Sequence, residues 1–93
     1  MIKTVEFSKE NLKEEVSKMK YGLHITNKDG WIIATIYKVA VGIERIFICE
    51  CDSHKMFAYK QNWLEDFIDN VILALKDSWQ IRDCKLIQVC DRQ

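Results

Sequence analysis

Residues 23–60 read LHITNKDGWIIATIYKVAVGIERIFICECDSHKMFAYK, and the turns inside this stretch decide the fold. Runs rich in Ile, Val, Thr, Tyr and Phe are interrupted only by short polar or glycine-containing clusters, the pattern of four consecutive antiparallel strands. Asp29-Gly30 is a two-residue type I′ turn signal, because both central positions must accept positive φ. It predicts that residue 28 pairs with 31, 26 with 33 and 24 with 35. Ala40-Val41-Gly42 suits a three-residue loop with its glycine in the left-handed position, which sets Lys38 opposite Glu44 and Tyr37 opposite Arg45. Opposite charges and a cation–aromatic contact favour this register over a loop that would face Lys38 against Arg45. A third turn is expected near Asp52, Ser53 and His54.

Alternate strand residues point to opposite faces, so these registers sort the side chains. One face receives Leu23, Ile25, Ile32, Ala34, Ile36, Ile46 and Ile48, an aliphatic floor for helices. The other receives His24, Thr26, Lys28, Trp31, Ile33, Thr35, Tyr37, Val39, Ile43, Arg45, Phe47, Cys49 and Cys51. That second face is mixed and aromatic.

Working outward, Ile2 to Phe7 is β-prone, and Ser8 can cap a helix from about Lys9 to Lys20, with Gly22 just beyond its end. Leu12, Val16 and Met19 form its apolar stripe, and Glu14 with Lys18 an ion pair on the wet side. Asn62 followed by Glu65 resembles a capping box opening a second helix, about Trp63 to Lys76. Trp63, Leu64, Phe67, Ile68, Val71, Ile72 and Leu75 cover about half its circumference, making it the main packing helix. Gln80 to Val89, with Ile81, Leu86, Ile87 and Val89, reads as a closing strand. The expected fold is α+β: two layers, a mainly antiparallel sheet with two helices on one face, in the order β-α-β-β-β-β-α-β.

With 93 residues the chain suits one domain, 1–93, since a chain this short buries only roughly 60–65% of its unfolded surface. No window approaches the roughly 20 consecutive apolar residues of a membrane span, so no membrane association is expected. Met1 to Glu10 carries an acidic residue at position 6 and no apolar run ending in a cleavage site, so it does not read as a signal peptide. Cys49, Cys51, Cys84 and Cys90 lie in apolar, strand-like segments and read as reduced, buried thiols. A cytoplasmic or otherwise intracellular setting follows as the expectation.

Fourteen basic and fourteen acidic side chains balance, so the overall charge points to no nucleic-acid partner. The helix–strands–helix order is similar to that of double-stranded RNA-binding domains, which place cations at the start of the last helix. Here that helix begins Asn62-Trp63-Leu64-Glu65-Asp66, whose carboxylates repel phosphate. No glycine-rich phosphate cradle occurs, because Gly22, Gly30 and Gly42 are isolated. Cys49-x-Cys51 with Cys84 or His54 has the donor types for zinc but not the Cys-x₂-Cys spacing, so no metal and no cofactor is expected.

Two surfaces are left as candidate partner sites. Trp31, Ile33, Tyr37, Val39, Ile43 and Phe47 put more apolar area on the mixed face than a solvated sheet face carries, and Trp31, Tyr37, Arg45 and Phe47 are its candidate partner-binding residues. On the second helix, Leu73 stands among Asp66, Asp69 and Asp77, an apolar anchor with an acidic rim that fits a partner with a basic surface. The expected function is a small non-enzymatic protein-binding module, an inhibitor, antagonist or adaptor that occludes or organises a protein partner, with homodimerisation through the mixed face as a further expectation. Two alternatives stand beside it: nucleic-acid binding or regulation through the aromatic face near Lys28, Lys38 and Arg45, and a minimal enzyme pairing His24 with Cys49.

Overall fold

The computed structural model describes residues 3–52, 55–76 and 83–90. In chain order the elements are β1 (Thr4–Glu6), α1 (Lys9–Lys18), β2 (Leu23–Thr26), β3 (Ile32–Val41), β4 (Glu44–Cys51), β5 (Met56–Lys60), α2 (Leu64–Lys76) and β6 (Lys85–Gln88). The strands form one six-stranded antiparallel sheet ordered β1-β6-β2-β3-β4-β5. Helices α1 and α2 pack side by side on one face, α1 against β6 and α2 against β4 and β5. The expected α+β architecture and element order are those observed.

Helix α1 forms as the sequence dictates. The Ser8 hydroxyl accepts from the Asn11 amide at 3.0 Å, satisfying one of the unpaired donors at the helix start. Leu12, Val16 and Met19 are buried. Lys18 pairs with Glu15 at 3.2 Å rather than with Glu14. Glu15 is itself buried, and Gln88 Nε2 donates to both its backbone oxygen (2.8 Å) and its carboxylate (2.9 Å), which ties α1 to β6. Beyond the helix, Gly22 runs so close to β3 that a Cβ there would lie 3.2 Å from the Ile36 carbonyl oxygen.

The first hairpin departs from the type I′ expectation. The Gly30 amide donates to the Asn27 carbonyl at 3.0 Å, Gly30 has φ 87, and the Asn27 amide donates to the Trp31 carbonyl at 2.9 Å. The loop is therefore Lys28-Asp29-Gly30 closed by Asn27 and Trp31, with the Asn27 side chain accepting from the Asp29 and Trp31 amides. His24 does pair with Thr35, but a bulge follows, and Thr26 pairs with Ile32 instead of Ile33. Ile33 and Ala34 are consequently both buried, while Ile32 is exposed.

The second hairpin corrects a whole strand. Its loop is Gly42-Ile43, with Val41 opposite Glu44, Ala40 opposite Arg45 and Lys38 opposite Phe47. The shift from the expected pairing is an odd number of residues, so β4 turns over. Phe47, Cys49 and Cys51 enter the core, whereas Ile46 and Ile48 lie on the opposite face. Magnitudes show why the ion pair does not set the register: an exposed Lys38–Glu44 pair contributes about 0–1 kcal/mol, whereas burying any one large apolar side chain of the strand contributes roughly 1.5–3. Lys38 lies over the Phe47 ring at 5.8 Å instead.

One continuous cluster of buried side chains fills the space between sheet and helices. Phe67 of α2 is stacked on Phe47, centroids 5.3 Å apart, with Phe57 and Tyr59 at 5.8 and 6.1 Å. Ile68, Val71 and Leu75 are buried as the helical period requires. Trp63 is not: a 3₁₀ turn, Gln61–Trp63, precedes α2 and leaves its side chain 54% exposed. Asn62 lies inside that turn, so it does not take the extended cap position that the expected Asn62–Glu65 box requires. Residues Ser53, His54, Asp77 and Ile81 lie outside the described residues.

Candidate functional site

Both helices lie on one side of the sheet, so the other side has no layer over it among the described residues. Cross-strand pairing fixes what that bare face displays. Across β3, β4 and β5 run the rows Val39–Ile46–Lys60, Tyr37–Ile48–Ala58 and Thr35–Glu50–Met56. The last of these continues through His24 and Ile87 to Thr4, spanning all six strands. Tyr37, Val39, Ile46 and Ile48 are half-buried by one another, and Met56 is exposed. A contiguous apolar strip results, bordered by Glu50 and Lys60. The Tyr37 hydroxyl donates to the Glu50 carboxylate, and this bond, with burial second, pushes the phenol's pKa up.

Of the four partner-site candidates on this face only Tyr37 lies on the strip, where it is joined by Val39, which the sequence also assigned to this face. Trp31 stands at the first hairpin turn, 72% exposed. Arg45 is neither opposite Tyr37 nor beside it; it lines a shallow depression with Ile43, Glu44, Gln61 and Asn62. Phe47 belongs to the core, so Trp31, Tyr37 and Phe47 form no shared stacking platform. Ile46 and Ile48 were missed because Ile46-Phe47-Ile48-Cys49 is apolar on both parities and carries no alternation.

A second surface runs along α2. Tyr59, Trp63, Asp66, Asp69, Asn70 and Leu73 line an open groove of about 380 Å³ between this helix and the edge strand β5. Leu73 is 60% exposed, as the helical wheel anticipated, and Asp66 and Asp69 flank it. One carboxylate of the acidic rim, Asp69, is paired by α1. Lys9 holds Asp69 at 3.0 Å, which raises the lysine's pKa chiefly through that hydrogen bond, and Lys13 pairs with Glu65. Asp66 makes no ion pair among the described residues.

The nucleophile candidates are separated by the fold. Cys49 points into the core and His24 to the bare face, so the sheet lies between them and they cannot form a Cys–His pair. Cys49 and Cys51 hydrogen-bond each other, and burial pushes the Cys49 thiol well up from the ordinary value and raises those of Cys51 and Cys84. A thiol so held is a poor nucleophile and a poor metal ligand. Cys90, expected to be buried with the others, is exposed. Among the described residues no group of three or more His, Cys, Asp or Glu side chains converges, and no helix is long and apolar enough to cross a membrane. In comparisons with known proteins, no family model, no curated protein and no solved structure matches the chain.

Proposed function

We propose that this chain is a non-enzymatic protein-binding module whose bare sheet face docks on a protein partner and so occludes or organises it, as an inhibitor, antagonist or adaptor does. The observation that carries the reading is the contiguous strip of Tyr37, Val39, Ile46, Ile48 and Met56 with no layer over it among the described residues. A sheet face that meets only water carries polar residues at alternate positions, and an apolar patch at its centre is the usual mark of an interaction surface. The setting of this reading is cytoplasmic, where the exposed Cys90 stays a thiol.

The test is capture of a stoichiometric partner from the native cell by the wild type, by Ile48→Lys and by Leu73→Ala. Ile48→Lys is expected to lose the partner while keeping the wild-type circular dichroism spectrum, since its side chain faces away from the core. Leu73→Ala is expected to retain it. Retention by Ile48→Lys, or loss by Leu73→Ala alone, would remove the sheet face from the reading.

A further inference from the structure

We propose that the exposed stripe of α2 is a self-association surface, on which a second copy of this chain docks in an antiparallel α2–α2 contact about a twofold axis. Asp66, Asn70 and Leu73 follow one another on α2 at spacings of four and three residues, and Trp63, in the 3₁₀ turn that leads into the helix, lines the same groove, so the four form one line along it. The line reads aromatic, carboxylate, amide, aliphatic. Turned end for end it is complementary to itself: Trp63 meets Leu73 of the second copy, and Asp66 meets its Asn70. Both pairs are centred on position 68, so one axis serves both. This is what a twofold contact demands, each residue meeting its counterpart in both directions.

The chemistry at each pair is favourable. Trp63 and Leu73 are 54% and 60% exposed in the single chain and bury each other in the pair. The amide of Asn70 donates to the one groove carboxylate that has no ion pair among the described residues, that of Asp66. Of the two groove carboxylates Asp69 is already paired with Lys9, which leaves a cationic partner only Asp66 to meet. Strand addition at the adjacent edge is disfavoured too, since Lys55 precedes β5, Lys60 ends it, and charged ends blunt an edge strand. This surface lies on the helical layer, opposite the bare sheet face, so either reading can fail without the other.

The test is sedimentation equilibrium up to about 1 mM protein, where even weak pairs populate. The wild type is expected to show a monomer–dimer equilibrium, and Leu73→Ala and Trp63→Ala each to weaken it about tenfold, as loss of a central anchor does. In a Cys90→Ser background, copies bearing Asp66→Cys mixed with copies bearing Asn70→Cys are expected to form the mixed disulfide under mild oxidation. A wild type that stays monomeric throughout would overturn the proposal. So would a dimer indifferent to Leu73→Ala and Trp63→Ala but lost in Tyr37→Glu, or the absence of the mixed disulfide from a dimeric sample.

Discussion

Phe67 is the residue on which three others converge, with Phe47, Phe57 and Tyr59 rings all within 6.1 Å of its centroid. It is fully buried, so Phe67→Ala removes transfer energy and leaves a cavity that surrounding rings cannot close. The expected loss is about 3–5 kcal/mol, read as a lower urea midpoint at an unchanged slope. A loss below about 1 kcal/mol would mean that α2 faces another way. The buried thiols carry a second expectation. Cys49, Cys51 and Cys84 have pKa values raised by burial, so the folded state keeps protons that the unfolded chain releases. Their stabilising effect is therefore complete below the ordinary thiol value and fades as pH rises past about 8.5. Cys49 alone gives a decline of about 1.4 kcal/mol per pH unit above that point, measurable as a falling urea midpoint between neutral and alkaline buffer. A midpoint that holds constant over that range would contradict its burial. Phe67 was legible from helical period, whereas the inward aim of Phe47 was not, because its neighbours Ile46 and Ile48 are equally apolar.

Among the elements, the β3–β4 hairpin shows where sequence reasoning loses its grip. Turn residues told correctly that two strands meet near Gly42, but the register was inferred from Lys38–Glu44 pairing, an exposed interaction too small to set it. Burial of the Phe47 ring and the Cys49 thiol under α2 decided the register instead. Adjacent substitutions test this directly. Phe47→Ala is expected to cost about 3–5 kcal/mol and Ile48→Thr, which keeps a β-branched side chain on the bare face, under about 1. Equal costs, or the reverse order, would restore the other register. In α2 the 3.6-residue period located Phe67, Ile68, Val71 and Leu75 correctly, and failed only at Trp63, where the 3₁₀ turn alters the phase. Helix α1 was legible in its cap, Ser8, and its stripe, which are local features, whereas it ends at Lys18 instead of about Lys20 and Lys18 pairs with Glu15 instead of Glu14.

At the scale of the whole molecule, the layers were readable and the strand order was not. β6 does not fold over the mixed face; it inserts between β1 and β2, with Leu86 opposite both Val5 and Ile25. Non-local pairing of this kind leaves no periodic trace in a four-residue strand. Its consequence is functional, because a terminal strand used inside the sheet cannot cover the opposite face. Tyr37, Val39, Ile46, Ile48 and Met56 then remain together with no covering layer among the described residues, and the proposed role in protein binding rests on that strip. The α2 groove, on the other layer, offers a separate surface for a second copy. The most direct measurement is a methyl and amide NMR titration of the labelled protein with the captured partner. The expected result is perturbation centred on Val39, Ile46, Ile48 and Met56, with α1 and α2 unchanged; perturbation confined to the helices, or none on the bare face at saturation, would contradict the assignment of binding to the sheet.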